Sequence, residues 1–404
     1  MADGLRSYNK WSTIIRLSLL LTGLRPSDDA SILYRLVVFV HGLSCLAMSF
    51  LLLNFSRHNV TNLHLFFKGL SLALSFFTIL QKMICFTIYR KQLVELHASL
   101  ADTFGQDLKE PQLQSILLSP INLFYRPSVI LSLAMSASVV IRCLSPLIFV
   151  AVQYFRNVDD IKFTLPFPTF YPWSVTENWL LQMLHYVFEM YAGLCMLLFS
   201  ALIDSLFGYY VFQMSGQLRT LSYRITSVKS NEDYCKVIND CVARHEILIR
   251  CQKLFERIYG PIVLWMLTTN SINLCALVYQ LSLVSNFMAP KQAGPVVILI
   301  VIKSVQTLSY ALFGTFLTTE SDMFREAIYA TDWAGSGEKP FMTDILIMIT
   351  QKPMVTVACS ISTISANMFV AVSSLLKTAF IFQVCNATVS YFFIIRTLEA
   401  GSHA

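Results

Sequence analysis

Seven long apolar segments, separated by polar stretches, dominate the pattern along this chain of 404 residues. Each segment is about 20 residues or longer, which is the length of helix that crosses a hydrocarbon core of ~30 Å. Strands of about ten alternating residues, which would indicate a membrane β-barrel, are not seen. The pattern therefore predicts an all-α polytopic membrane protein with seven transmembrane helices. The segments cover approximately 32–55, 63–89, 127–154, 179–212, 259–285, 295–317 and 354–395.

The basic residues between these segments predict the orientation of the chain. Of the 30 lysine and arginine residues, 19 lie at the N-terminus or in the three stretches on its side, and 5 lie on the opposite side. Because basic residues are enriched in cytoplasmic loops, the N-terminus is expected in the cytoplasm and the C-terminus outside, at the plasma membrane. Two glycosylation sequons, at Asn54 and Asn59, fall in the first loop assigned to the outside and agree with this orientation.

Composition excludes a soluble globular protein. Hydrophobic residues make up 55% of the chain and charged residues only 13%, against roughly 25% in a soluble domain. The net charge of +6 reflects the basic residues that orient the chain in the membrane, so membrane lipid and not nucleic acid is the expected partner. A glycine-rich phosphate loop, an HExxH pair and a nucleophile elbow are all absent from the sequence, and neither an enzyme nor a cofactor is predicted.

Spans and charges together divide the chain into seven parts, in which long cytoplasmic helices are expected to form an anchor bundle. The parts are a cytoplasmic N-terminus (1–31), transmembrane helices 1–4 (32–212), a cytoplasmic helical extension (213–258), transmembrane helices 5 and 6 (259–317), a cytoplasmic anchor segment (318–353), helix 7 (354–396) and an extracellular tail (397–404).

The helical extension carries an apolar face typical of an amphipathic helix outside the membrane. Within it, Cys241 and His245 stand four residues apart, which raises a metal site as one interpretation. The spacing fits no zinc pattern, so packing in a helical bundle is favoured and no metal is predicted. The face consists of Ile238, Cys241, Val242, His245, Leu248, Ile249 and Phe255.

The seventh segment is too long for a single span. Its 42 residues would form a helix of about 63 Å, roughly twice the hydrocarbon thickness. A short helix near 343–350, a break at Pro353 and a membrane span from about Met368 are therefore expected. A polar stripe on that span either lines a water-filled pore or bonds neighbouring helices, and the residues alone leave both open. The stripe consists of Gln383, Asn386 and Ser390 and ends at Ile394.

Two charges lie deep within predicted spans. Arg142 in the third segment and Glu189 in the fourth are each roughly 15 to 18 Å from the outer end of their helix. An unpaired charge at that depth is costly, so we expect a buried ion pair between them.

Motifs in the last hundred residues resemble the signature of insect odorant receptors. Four residues, Thr318-Thr319-Glu320-Ser321, follow the sixth segment, and the last part of the seventh contains Ser390-Tyr391-Phe392, followed by Ile395-Arg396-Thr397-Leu398. Three further matches add to this resemblance: Ala327-Ile328-Tyr329, Trp333 and Lys377-Thr378-Ala379-Phe380.

The resemblance implies a heterotetrameric, ligand-gated, non-selective cation channel in which a tuning receptor assembles with a shared co-receptor. This chain resembles the tuning subunit, because the co-receptor carries a longer insertion before helix 5. Helix 7 would line the pore, with Gln383, Asn386 and Ser390 along it and a hydrophobic gate at Phe393 or Ile394. The alternatives are a G-protein-coupled receptor, a gustatory-type chemoreceptor and a secondary transporter, whose expected motifs or internal repeats the sequence lacks.

The same resemblance places an odorant pocket for small volatile hydrophobic molecules in the outer half of the bundle. An apolar cavity with few polar anchors suits such ligands. The second external loop, which is rich in proline and aromatic residues, is expected to form either a stiff lid or an interfacial anchor. The candidate pocket positions are Phe66, Leu70, Ile141, Ser145, Met183, Tyr186, Met190, Ile300 and Ser304.

Overall fold

Nearly all of the structure, a computed structural model, is helical. It describes residues 2–24, 32–157, 162–174, 178–227, 234–287, 293–330, 339–350, 353–359, 362–374 and 378. The helices are α1 (Ala2–Thr22), α2 (Ile32–His58), α3 (Leu63–Ile88), α4 (Arg90–Lys109), α5 (Pro111–Leu118), α6 (Ile121–Phe155), α7 (Trp179–Thr226), α8 (Tyr234–Phe287), α9 (Ala293–Tyr329) and α10 (Lys339–Thr350). Two short antiparallel strands, β1 (Val357–Ala358) and β2 (Ser362–Thr363), form a hairpin.

Six of the described helices are long and apolar enough to cross a membrane. They are α2, α3, α6, α7, α8 and α9, and they coincide with the first six segments predicted from the sequence. The prediction of an all-α polytopic membrane fold is confirmed. The pore positions Gln383, Asn386, Ser390, Phe393 and Ile394 lie outside the described residues, as does the tail 397–404.

Two helices continue far beyond the thickness of a bilayer. The 48 residues of α7 and the 54 of α8 correspond to about 72 and 81 Å, more than twice the hydrocarbon core. The amphipathic face of α8 is turned inward, with Ile238 and Cys241 fully buried. The His245 ring packs 4.9 Å from that of Phe324. Among the described residues no group of three or more His, Cys, Asp or Glu side chains lies close enough to hold a metal.

Ion pairs hold together the bundle formed by α4, α5, α10 and the adjoining ends of α7, α8 and α9, here called the anchor bundle. Asp107 accepts hydrogen bonds from Thr220 (3.0 Å), Arg224 (3.2 Å) and Arg244 (2.7 Å), which joins α4 to α7 and α8. The guanidinium of Arg219 donates to both carboxylate oxygens of Glu320 at 2.6 to 2.8 Å. Such forked pairs fix both distance and orientation between helices.

The segment after Pro353 contains two short strands that the sequence did not predict. After α10 ends at Thr350, β1 pairs with β2, and helix resumes at 366, close to Met368, where the membrane span was expected to begin. The hairpin packs on α8, and a Cβ on Gly314 of α9 would collide with the carbonyl oxygen of Ile364, the residue that follows β2. Glu256 accepts a hydrogen bond from the backbone amide of Val357 (2.9 Å), which gives this partly buried backbone group a partner.

Removing the carboxylate of Asp107 should weaken the anchor bundle. We expect Asp107→Ala to lower the free energy of unfolding by about 2 kcal/mol, because it removes the buried one of the two carboxylates that Arg224 and Arg244 share, the other being Asp240. The matched control is Asp322→Ala, which breaks an exposed pair with Arg325 and should cost less than about 1 kcal/mol. Thermal melting of the detergent-solubilised protein compares them, and equal melting temperatures would contradict the role assigned to Asp107.

Candidate functional site

The segment 162–174, between α6 and α7, folds inward and closes one end of the helix bundle. Its Phe167 side chain is only 2% exposed and meets the Phe76 ring of α3 edge-on, with centroids 5.5 Å apart. The ring also lies 3.4 Å from the place where a Cβ would stand on Gly193 of α7. Glycine at 193 therefore leaves room for the aromatic ring against the helix backbone.

Glu189 on α7 fastens this segment. Its carboxylate accepts hydrogen bonds from the backbone N–H of Phe167 (2.9 Å), the Thr169 hydroxyl (2.5 Å) and the Tyr171 hydroxyl (3.0 Å). Three donors to a fully buried carboxylate replace the water that it has lost, since charge-assisted hydrogen bonds are stronger than neutral ones. The segment is thus attached to the helix at three points within five residues.

The expected ion pair between Arg142 and Glu189 is not formed, so that prediction was wrong about the partners. The Arg142 guanidinium lies over the Phe167 ring, 5.6 Å from its centroid, in a cation–π arrangement. The carboxylate of Glu189 is instead hydrogen-bonded by three donors of the 162–174 segment. Both charges thus act on the same inserted phenylalanine, one through its ring and the other through its backbone.

A second set of aromatic contacts joins the segment to the start of α7. The indole N–H of Trp173 donates to Nε2 of His185 (3.0 Å), and the Tyr171 ring packs 4.2 Å from the His185 ring. His185 is itself buried, with Nδ1 2.6 Å from the carbonyl oxygen of Leu181. Of the two roles considered for this loop, these contacts favour the lid.

The candidate pocket positions divide by the face of the helix on which they lie. Tyr186 is 6% exposed, and its hydroxyl donates to the carbonyl oxygen of Cys143 (2.9 Å). Ile141 is 65% exposed and Ser145 is also exposed, so these two positions on α6 point away from the bundle, contrary to the prediction. The buried face of α6 carries Val139 and Cys143 instead. Half-buried positions are Phe66, Leu70, Met183, Met190, Ile300 and Ser304.

The two sequon asparagines lie close to this end of the bundle. Asn54 is within α2, and its side-chain amide donates to the carbonyl oxygen of Phe170 (3.1 Å). Asn59 follows the end of α2 and donates to the carbonyl oxygen of Phe55 (2.8 Å). Glycosylation at either position stays a prediction.

A buried ionic cluster lies further along α7, and the sequence analysis did not single it out. Asp204 forms an ion pair with Lys82 of α3 and accepts hydrogen bonds from Gln306 (2.6 Å) and Tyr310 (2.7 Å) of α9. Ser200 donates to the same carboxylate (3.3 Å). We call these five residues the central cluster. The sequence could have indicated this cluster, because Lys82 and Asp204 are charged residues that each lie inside an apolar segment.

The arrangement around Phe167 suits contact with an apolar molecule. The inserted ring of Phe167, the neighbouring apolar side chains and a few hydroxyl groups provide shape and area for an apolar molecule, while the buried carboxylates are occupied by donors. A bundle of long apolar helices with an ionic centre defines a polytopic helical membrane protein.

The chain belongs to the 7tm odorant receptor family, whose model matches residues 62–380. Odorant receptor 13a of Drosophila melanogaster is 23% identical over 290 residues, and the match spans 67% of this chain and 65% of that relative. The odorant receptor coreceptor of Aedes aegypti is 29% identical over 141 residues, which are 34% of this chain and 29% of that one.

The fold is also that of a solved insect receptor. The olfactory receptor OR5 from Machilis hrabei, in complex with eugenol, is similar with a TM-score of 0.72 and 12% identity, over 95% of this chain and 99% of that chain. The same receptor in a second structure gives a TM-score of 0.73 over 94% of this chain. Because the sequence identity is low, this likeness establishes the arrangement of the helices alone.

Removing one charge of the Lys82–Asp204 pair should destabilise the protein more than removing both charges. We expect Asp204→Leu to lower the free energy of unfolding by about 3–5 kcal/mol, since it leaves the buried Lys82 ammonium unpaired, and Lys82→Met to lower it as well, since it leaves the Asp204 carboxylate without its cation. The double variant Lys82→Met/Asp204→Leu, which removes both charges, should recover part of that loss. Melting temperatures of the two single variants and the double variant, arranged as a cycle, give the coupling.

The control for this cycle is Lys253→Met, which removes an exposed lysine of α8. Its melting temperature should match that of the unmodified chain. Additive effects of the two cluster substitutions would contradict the pairing.

Proposed function

We propose that this chain is the odorant-binding tuning subunit of a heterotetrameric, ligand-gated, non-selective cation channel that it forms with a co-receptor. Membership of the odorant receptor family and similarity to odorant receptor coreceptors support the proposal. The observation that carries it is the closed apolar end of the bundle, where Phe167 is held between α3 and α7. The N-terminus is assigned to the cytoplasm and this closed end to the outside.

The ligand is a small, volatile, hydrophobic molecule bound beneath the 162–174 segment. The buried face around Phe167 is apolar and aromatic, and Tyr186 supplies one hydroxyl already directed at the backbone. Such a site discriminates by shape and buried area, with few hydrogen bonds to fix orientation. The solved relative that shares this fold was determined with eugenol, a molecule of that chemical class. Seven of the candidate positions remain proposed contacts, since Ile141 and Ser145 face outward.

Conduction needs several copies of the chain around an axis. One helix 7 from each subunit would line the pore, with Gln383, Asn386 and Ser390 facing water and Phe393 or Ile394 closing it by dewetting. The anchor bundle is proposed to hold the subunits together, because α7 and α8 extend far beyond the membrane there. Enzymatic activity is not part of the proposal.

Recording current from cells tests the proposed assembly. Three conditions are compared under a panel of volatile odorants: this chain alone, the co-receptor alone, and both together, each with surface expression measured. Odorant-evoked current is expected only when both chains are present. Robust evoked current from this chain alone, in cells that lack any co-receptor, would contradict the tuning-subunit role.

Shortening the inserted phenylalanine tests the binding site. We expect Phe167→Ala to shift the half-maximal odorant concentration at least tenfold. A small ligand loses its contacts with the ring, whereas a larger ligand can fill the space that the ring leaves. Larger odorants should gain relative to smaller ones. The matched control is Phe155→Ala, which removes a ring that is 82% exposed. Unchanged dose responses for Phe167→Ala, at normal surface expression, would place the ligand elsewhere.

A further inference from the structure

A groove of about 980 Å³ runs between α2 and α3, at the end of the bundle opposite the 162–174 segment. Gly42 on α2 lies opposite Met83 and Leu80 of α3, where a Cβ would be 3.7 and 3.9 Å from their side-chain atoms. Because position 42 has no side chain, the groove stays open along its length. The chain just after α1, at Gly23 and Leu24, forms the third wall.

The walls of the groove are unusually apolar for a surface. Several large hydrophobic side chains along it are about half exposed or more, so nothing in the described residues covers them. In a membrane protein such a surface faces acyl chains and not water. The exposed wall residues are Leu36, Phe39, Leu43, Ile84 and Ile88.

One end of the groove is positively charged. Arg35 near the start of α2 and Arg90 and Lys91 at the start of α4 converge there, and the described residues that line the groove include no aspartate or glutamate. Within the part of the chain that the structure describes, Arg35 and Lys91 form no ion pair. A positive end joined to an apolar channel is complementary to a molecule with an anionic head and an apolar tail.

The length of the groove identifies the kind of tail. From the basic end at Arg35 to the far end at Leu46 is eleven residues of helix, or about 16 Å. Half of a hydrocarbon core of ~30 Å is about 15 Å, so the groove is as long as one leaflet is thick. A soluble anion would leave the apolar part empty, and a volatile odorant would leave the basic part unused.

We propose that this groove is a binding site for an anionic phospholipid, with the headgroup at Arg35, Arg90 and Lys91 and an acyl chain along α2 and α3 beside Gly42. Its assignment to the cytoplasmic leaflet rests on the orientation proposed above. The lipid fills the surface between the two helices and joins the membrane-spanning part to α4, the first helix of the anchor bundle. It is a structural ligand of the receptor, separate from the odorant site.

Native mass spectrometry of the purified full-length chain tests the site without odorant or current, so its failure is distinct from failure of the proposed function. The protein is incubated with equal concentrations of dioleoyl phosphatidylserine and dioleoyl phosphatidylcholine. We expect each chain to retain one molecule of phosphatidylserine in preference to phosphatidylcholine. The double variant Arg35→Gln/Lys91→Gln should weaken that binding about 30-fold, since each basic residue near the surface contributes roughly fivefold.

The control variant is Arg57→Gln/Arg156→Gln, which removes two basic residues at the opposite end of the bundle and should leave binding unchanged. Gly42→Phe, which places a ring in the groove but leaves the basic end intact, should also displace the lipid. Glycerophosphoserine, which has the headgroup and no acyl chains, should not be retained. Equal retention of both lipids, full retention by the Arg35/Lys91 variant, or retention of glycerophosphoserine would each overturn the proposal.

Discussion

A carboxylate inside a bilayer must find its hydrogen-bond donors within the protein, and this requirement fixes much of the arrangement of the helices. Asp204 gathers donors from α3 and α9 around α7. Glu189 gathers three donors from the 162–174 segment. In each case the donors come from elements distant in the sequence, so satisfying one charge brings several elements into register.

The same requirement explains why a connecting segment enters the bundle. Backbone groups of a loop cannot remain unpaired in an apolar environment. The carboxylate of Glu189 accepts the Phe167 N–H, which lets the ring of that residue pack at 2% exposure among α3 and α7. An acidic residue that would be costly alone thus makes the apolar end of the bundle possible, and the proposed ligand site depends on it.

The sequence predicted the six described spans and the long extensions of α7 and α8, because hydrophobic length and helical periodicity are local properties. It did not predict which face of α6 turns inward. Both faces of a membrane helix are apolar, so Val139 and Ile141 look equivalent in sequence although one is buried and the other exposed. The partners of Glu189 were missed for another reason, since they lie in a loop whose inward fold leaves no periodic signal. The hairpin after Pro353 was hidden in a continuous apolar stretch and depends on Gly260 and Gly314 of other helices.

Three of the four charged residues of α7, each in contact with another element, are evenly spaced along the helix. Glu189, Asp204 and Arg219 are 15 residues apart, about 22 Å each along the helix, and successive positions are turned by only about 60°. No proline interrupts the helix between Trp179 and Thr226. Each charge is bound to a different part of the molecule: the 162–174 segment, the central cluster and Glu320 of the anchor bundle. Since one unbroken helix carries all three, a shift of α7 at the apolar end must be accommodated at the central cluster and at the anchor bundle as well. That mechanical continuity is the physical basis on which the proposed binding beneath Phe167 would alter the packing of α9.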